Sequence, residues 1–195
     1  MNLMDSTQNL LQTIRQCRHC QRHLPLGARP VVKASGTAKL LIVGQAPGTR
    51  VHNSGIPWND ASGERLREWL GISEHTFYDQ SKIAIVPMGF CYPGKGKSGD
   101  LPPRPECAPM WHPSLLKAMP EVELTLLIGQ YAQNYYLADK QKLTERVRSF
   151  HQYLPGYFVL PHPSPRNNLW LAKNPWFETE VIEELRTRIR HLLAS

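Results

Sequence analysis

The chain has 195 residues, with 23 Lys or Arg against 16 Asp or Glu and a formal net charge of +7. An apolar share of 41% and a charged share of 20% fit a globular protein with a real core and exclude disordered and fibrous classes. The longest apolar runs, Leu40 to Val43 and Leu126 to Ile128 among them, fall far short of the roughly 18 residues a membrane helix needs. Met1 to Leu10 carry neither the basic segment nor the apolar stretch of a secretory signal. A cytoplasmic protein forming one domain over residues 1–195 is expected.

In chain order, Ser6 or Thr7 suits the N-cap of a helix whose apolar positions are Leu10, Leu11 and Ile14. Leu24 to Thr37, rich in Pro and Gly, reads as a loop over the surface. Four short apolar runs follow, Lys39 to Val43, Lys82 to Val86, Leu124 to Ile128 and Tyr157 to Leu160. They do not alternate with polar residues, so they predict strands buried on both faces. Between them, Leu66, Trp69 and Leu70 share the face of a helix that stops at Gly71, and Ala132, Tyr135 and Tyr136 mark another. After Pro175, a stripe of Val181, Ile182, Leu185, Ile189 and Leu192 predicts a final helix to about Leu193. Strand–helix alternation predicts a three-layer α/β/α fold around a four-stranded parallel sheet. Ligands then bind at the carboxyl ends of the strands, where Gly44 to Gly48, Pro87 to Cys91, Gly129-Gln130 and His162 to Asn167 lie.

Charge and cysteine are the unusual entries. Residues 1–60 hold Arg15, Arg18, Arg22, Arg29, Lys33, Lys39 and Arg50 against only Asp5 and Asp60, a basic lobe that suits a phosphate backbone. Cys17 and Cys20 form a C-x2-C pair, with Cys91 and Cys107 further on. In a reducing compartment such a set points to a metal rather than to disulfides. Four thiolates suit zinc or an iron-sulfur cluster, and the spacing does not choose.

Gly44-Gln45-Ala46-Pro47-Gly48, followed by Gly55-Ile56-Pro57-Trp58, resembles the first motif and the aromatic stacking position of the uracil-DNA glycosylase superfamily. His162-Pro163-Ser164-Pro165-Arg166-Asn167 resembles its second motif, in the form seen in single-strand-selective monofunctional enzymes. The cysteines fall where the family 4 enzymes carry the ligands of a 4Fe-4S cluster. The resemblance covers roughly residues 14–175. It implies a DNA glycosylase that flips a base into a pocket and hydrolyses its N-glycosidic bond. His162 would donate to the base oxygen, Trp58 would stack on the base, and Ala46 with the backbone at Met88 and Gly89 would bind its edge. Gly48, Ser164, Arg166 and Asn167 would contact DNA, with Arg166 filling the gap left by the flipped nucleotide. DNA is the expected partner, a membrane is not, and a monomer is expected.

The chain departs from the pattern where the chemistry is concentrated. The second residue of the first motif is Gln45, which cannot act as a carboxylate base. His52 or Asp60 is therefore expected to orient the attacking water; Asp60 is the loop's only carboxylate, though it equally suits a helix cap. Pro87 stands where many relatives read uracil with an asparagine, and it has neither a side-chain donor nor an N–H. Either the backbone of Met88 to Phe90 takes over, or the base is a different one. Gln45 and Pro87 also keep open a second reading, a nucleic-acid-binding module with the fold and cluster but no catalysis.

Overall fold

The structure is a computed structural model that describes residues 3–194. Its elements, in order, are α1 (Leu3–Arg15), β1 (Leu40–Val43), α2 (Thr49–Ser54), α3 (Ala61–Leu70), α4 (Glu74–Phe77), β2 (Ile83–Ile85), β3 (Lys95–Gly96), β4 (Gly99–Asp100), α5 (Cys107–Ala118), β5 (Leu124–Ile128), α6 (Gln130–Tyr136), α7 (Leu143–Arg148), β6 (Tyr157–Leu160), α8 (Asn168–Lys173) and α9 (Glu183–Ala194). The four apolar runs form one parallel sheet in the order β2-β1-β5-β6. Every residue of β1, β2 and β5 is buried, as a sheet covered on both faces requires. Helices flank the sheet in a three-layer α/β/α arrangement, with α1 packed on α5 and α3 on α9. Among the described residues no helix is long and apolar enough to cross a membrane.

The strand order reverses between β1 and β5. The chain leaves β1 toward β2 on one side, and leaves β5 toward β6 on the other. Loops diverging from neighbouring strand ends open a crevice there, and Gly44 to Gly48 and Gly129-Gln130 lie on its two sides.

Four local expectations are corrected. Helix α1 begins at Leu3, so Ser6 and Thr7 lie inside it; Thr7 is buried and its hydroxyl donates to Ala118 O at 3.0 Å, tying α1 to α5. Leu24 to Thr37 is not a surface loop throughout. Val31, Val32 and Ala34 are buried, and Lys33 exchanges backbone hydrogen bonds of 2.9 and 2.7 Å with Ile85 at the edge of β2. That pairing covers an otherwise open sheet edge. The final helix starts with a π-helical stretch, Phe177–Ile182, before α9. Finally, the turn-rich segment after β2 contains the small β3–β4 hairpin, pairing Lys95 with Asp100 and Gly96 with Gly99.

Candidate functional site

At the carboxyl ends of the strands lies a cavity of about 440 Å³, within the size range of small-ligand sites. Gln45, Ala46 and Gly48 line it from the loop after β1, Trp58 and Asp60 from the approach to α3, and His162, Ser164, Arg166 and Asn167 from the loop after β6. The crevice thus gathers both glycine- and proline-bearing loops.

Trp58 is held by what its neighbours lack. Its φ of 58° is left-handed, a conformation a bulky residue rarely adopts without a functional reason. A side-chain carbon on Gly44 would stand 2.8 Å from the indole, and one on Gly63 only 1.7 Å from Trp58 O. The indole stacks on the His162 imidazole, with centroids 5.5 Å apart and planes at 29°. Gln45 reaches across the crevice, so that a side-chain carbon on Gly129 would lie 2.8 Å from its amide nitrogen.

His162 is fixed by its own loop. The Ser164 N–H donates to His162 Nδ1 at 3.2 Å, and the Asn167 side-chain amide donates to His162 O at 2.7 Å. With Nδ1 accepting, the neutral ring carries its proton on Nε2. Burial lowers its pKa to about 4 against an opposing pull from Asp60, so the ring is a neutral donor at physiological pH. Asp60 caps α3, its Oδ1 accepting from the Gly63 N–H at 2.9 Å. Its second oxygen carries none of that bond. Arg166 reaches over the mouth and donates from Nη1 to Ser98 O of the hairpin.

Three expected residues lie elsewhere. His52 is buried on α2, where burial and Arg29 lower its pKa. Its Nδ1 finds no partner among the described residues, and its ring faces Tyr92. Met88 is buried, and its N–H is spent on Gly44 O at 3.0 Å. The Gly89 N–H is spent on Gln45 O at 2.9 Å. These two bonds zip the loops after β1 and β2 together, leaving neither N–H for a ligand. Gln130, from the expected loop after β5, lines the cavity, and sequence reasoning missed Ser98, Asp100 and Tyr131, which line it too. The signal for the first two was Gly96-Lys97-Ser98-Gly99, a two-residue turn framed by glycines.

Cys17, Cys20, Cys91 and Cys107 are free thiols lining a second, smaller pocket with Phe90 and Trp111. Burial pushes the Cys91 thiol up to about 11 and the Cys107 thiol to about 12, and Cys17 and Cys20 add to both shifts. A backbone N–H already points at sulfur, Phe90 N lying 3.4 Å from Cys107 Sγ, and the Arg29 backbone lowers the pKa of the Cys91 thiol against the effect of burial. Four half-buried thiols gathered around one pocket, one of them already accepting a backbone N–H, fit the donor set of an iron-sulfur cluster. Among the described residues, no group of three His, Cys, Asp or Glu is set to hold a single metal ion.

A family model described as the uracil DNA glycosylase superfamily matches residues 32–186. The chain belongs to this superfamily. The match spans the whole sheet and both loops of the large cavity. Of the four cysteines, this uracil DNA glycosylase superfamily member has Cys91 and Cys107 inside the matched stretch and Cys17 and Cys20 before it.

Proposed function

We propose that this superfamily member is a DNA glycosylase that hydrolyses the N-glycosidic bond of a base flipped into the cavity after β1 and β6. One observation carries the reading: a neutral imidazole with its proton on Nε2, stacked on Trp58 in a pocket of about 440 Å³. In hydrolysis the bond between base nitrogen and sugar C1′ breaks, its electron pair leaving with the base, and a bond from water oxygen to C1′ forms. Negative charge grows on the base oxygen, where His162 Nε2–H donates. A preorganised donor of this kind accelerates reaction by about 10²- to 10³-fold. Positive charge grows on the sugar, where the Asp60 oxygen not engaged by Gly63 holds the water and takes its proton. Trp58 supplies the apolar face for the base.

The loop after β6 places Ser164, Arg166 and Asn167 for the flanking phosphates, and the loop after β1 offers the Ala46 and Gly48 amides to a base or phosphate oxygen. Cys17, Cys20, Cys91 and Cys107 would hold a 4Fe-4S cluster, which when bound supplies a structural cross-link. The cysteine pattern and the form of the second motif favour a relative of family 4 with features of the single-strand-selective enzymes.

The test is a panel of oligonucleotides carrying uracil, hypoxanthine, xanthine or a modified pyrimidine, incubated with protein and then treated with alkali. Strand cleavage at one of these bases is the expected result. DNA binding without cleavage at any base would instead assign a catalytically inactive binding module, the reading favoured by Gln45 in place of a carboxylate.

A further inference from the structure

The cavity is poor in hydrogen-bond donors where the loops after β1 and β2 meet. Pro47, Pro57, Pro87 and Pro93 all line it, and none has an N–H. The Met88 and Gly89 amides are spent on Gly44 O and Gln45 O. Facing this wall is a group that only accepts. Asp100, the last residue of β4, lines the same cavity, and a side-chain carbon on Gly48 would lie 3.4 Å from its Oδ2. The absence of a side chain on Gly48 therefore leaves room in front of the carboxylate. No hydrogen bond or salt bridge engages that carboxylate among the described residues; its charge adds to the burial that raises the pKa of Tyr92. The hairpin is held in place by Arg166, which donates to Ser98 O two residues earlier.

An ionised carboxylate offers lone pairs and no proton. It repels a carbonyl oxygen brought against it and accepts an N–H with a charge-assisted bond. We infer that Asp100 is a specificity-determining residue that reads the extruded base by accepting a lactam N–H from its hydrogen-bonding edge. His162 then takes the carbonyl oxygen where charge develops, and Asp100 takes the N–H. Uracil and the deaminated purines hypoxanthine and xanthine carry such a group, whereas a base methylated at that nitrogen does not. This inference rests on the glycosylase reading and deepens it.

The experiment pairs the protein with the substrate. Single-stranded oligonucleotides containing uracil, N3-methyluracil, hypoxanthine or N1-methylhypoxanthine are cleaved under single-turnover conditions by the wild-type chain, Asp100→Ala and Asp100→Asn, each checked for folding by thermal melting. Methylation is expected to slow the wild type by about 10- to 100-fold, the worth of a hydrogen bond to a charged group. Asp100→Ala should slow release of the unmethylated base by a similar factor and leave the methylated base unchanged. Asp100→Asn, which keeps an acceptor oxygen, should fall between. A loss equal on both substrates, or on neither, would overturn the role of Asp100 while leaving the glycosylase reading intact. Release of no base by the wild type would remove that reading and this inference with it.

Discussion

His162 shows how much one backbone amide decides. The Ser164 N–H on Nδ1 sets the tautomer, and burial holds the pKa at about 4, below the ordinary value near 6.5. Between those values the unfolded chain binds a proton that the native ring refuses. The contribution of His162 to stability is thus complete above about pH 6.5 and is lost as the pH falls through about 4. An NMR titration of the imidazole should have its midpoint near 4; a midpoint near 6.5 would contradict the half-buried neutral donor. His162→Ala should slow single-turnover cleavage by about 10²- to 10³-fold while leaving DNA affinity nearly unchanged. The residue was legible from its Pro-bracketed motif. Its tautomer was not, because that depends on where the amide two residues later points.

Among the elements, α3 carries the sharpest constraint. In an ordinary helix interior, Gly→Ala stabilises by roughly 0.5–1 kcal/mol. Gly63 should reverse that sign, since the new carbon would stand 1.7 Å from the Trp58 carbonyl oxygen, which is backbone and cannot rotate away. Gly63→Ala should cost about 3 kcal/mol, the upper end for overpacking, read as a lower urea midpoint, and an unchanged midpoint would show that the turn at Trp58 yields. The sequence announced α3 through Leu66, Trp69, Leu70 and the stop at Gly71, because an apolar stripe and a glycine cap are local signals. It did not announce the contact at Gly63, which depends on a turn outside the helix. The β3–β4 hairpin was hidden for a related reason. Its two-residue strands are too short for any alternation to show, so Asp100 entered the cavity unforeseen. Ser6 and Thr7 misled because both are good capping residues, while Thr7 spends its hydroxyl on α5.

At the level of the molecule, four apolar runs were enough to foresee the sheet, since strands buried on both faces must be apolar throughout. The gathering of four cysteines from three distant stretches into one pocket was suggested by their spacing but made concrete only by packing. Anaerobically purified protein should be brown and hold about four irons per chain, and Cys107→Ser should lose the colour and melt at a lower temperature. One zinc without sulfide would replace the cluster with a single ion. The basic N-terminal stretch leads into this pocket through Arg29. Its neighbours Ala28 and Pro30 line the thiol pocket, while the Arg29 guanidinium donates to the carbonyls of His52 and Asn53 at the end of α2. Helix α2 grows directly out of Gly48, so this stretch links the thiol pocket to the loop that lines the large cavity. The thiol pocket and the large cavity are thus not independent surfaces: the same short stretch of backbone around Arg29 walls one and braces the helix that leaves the other.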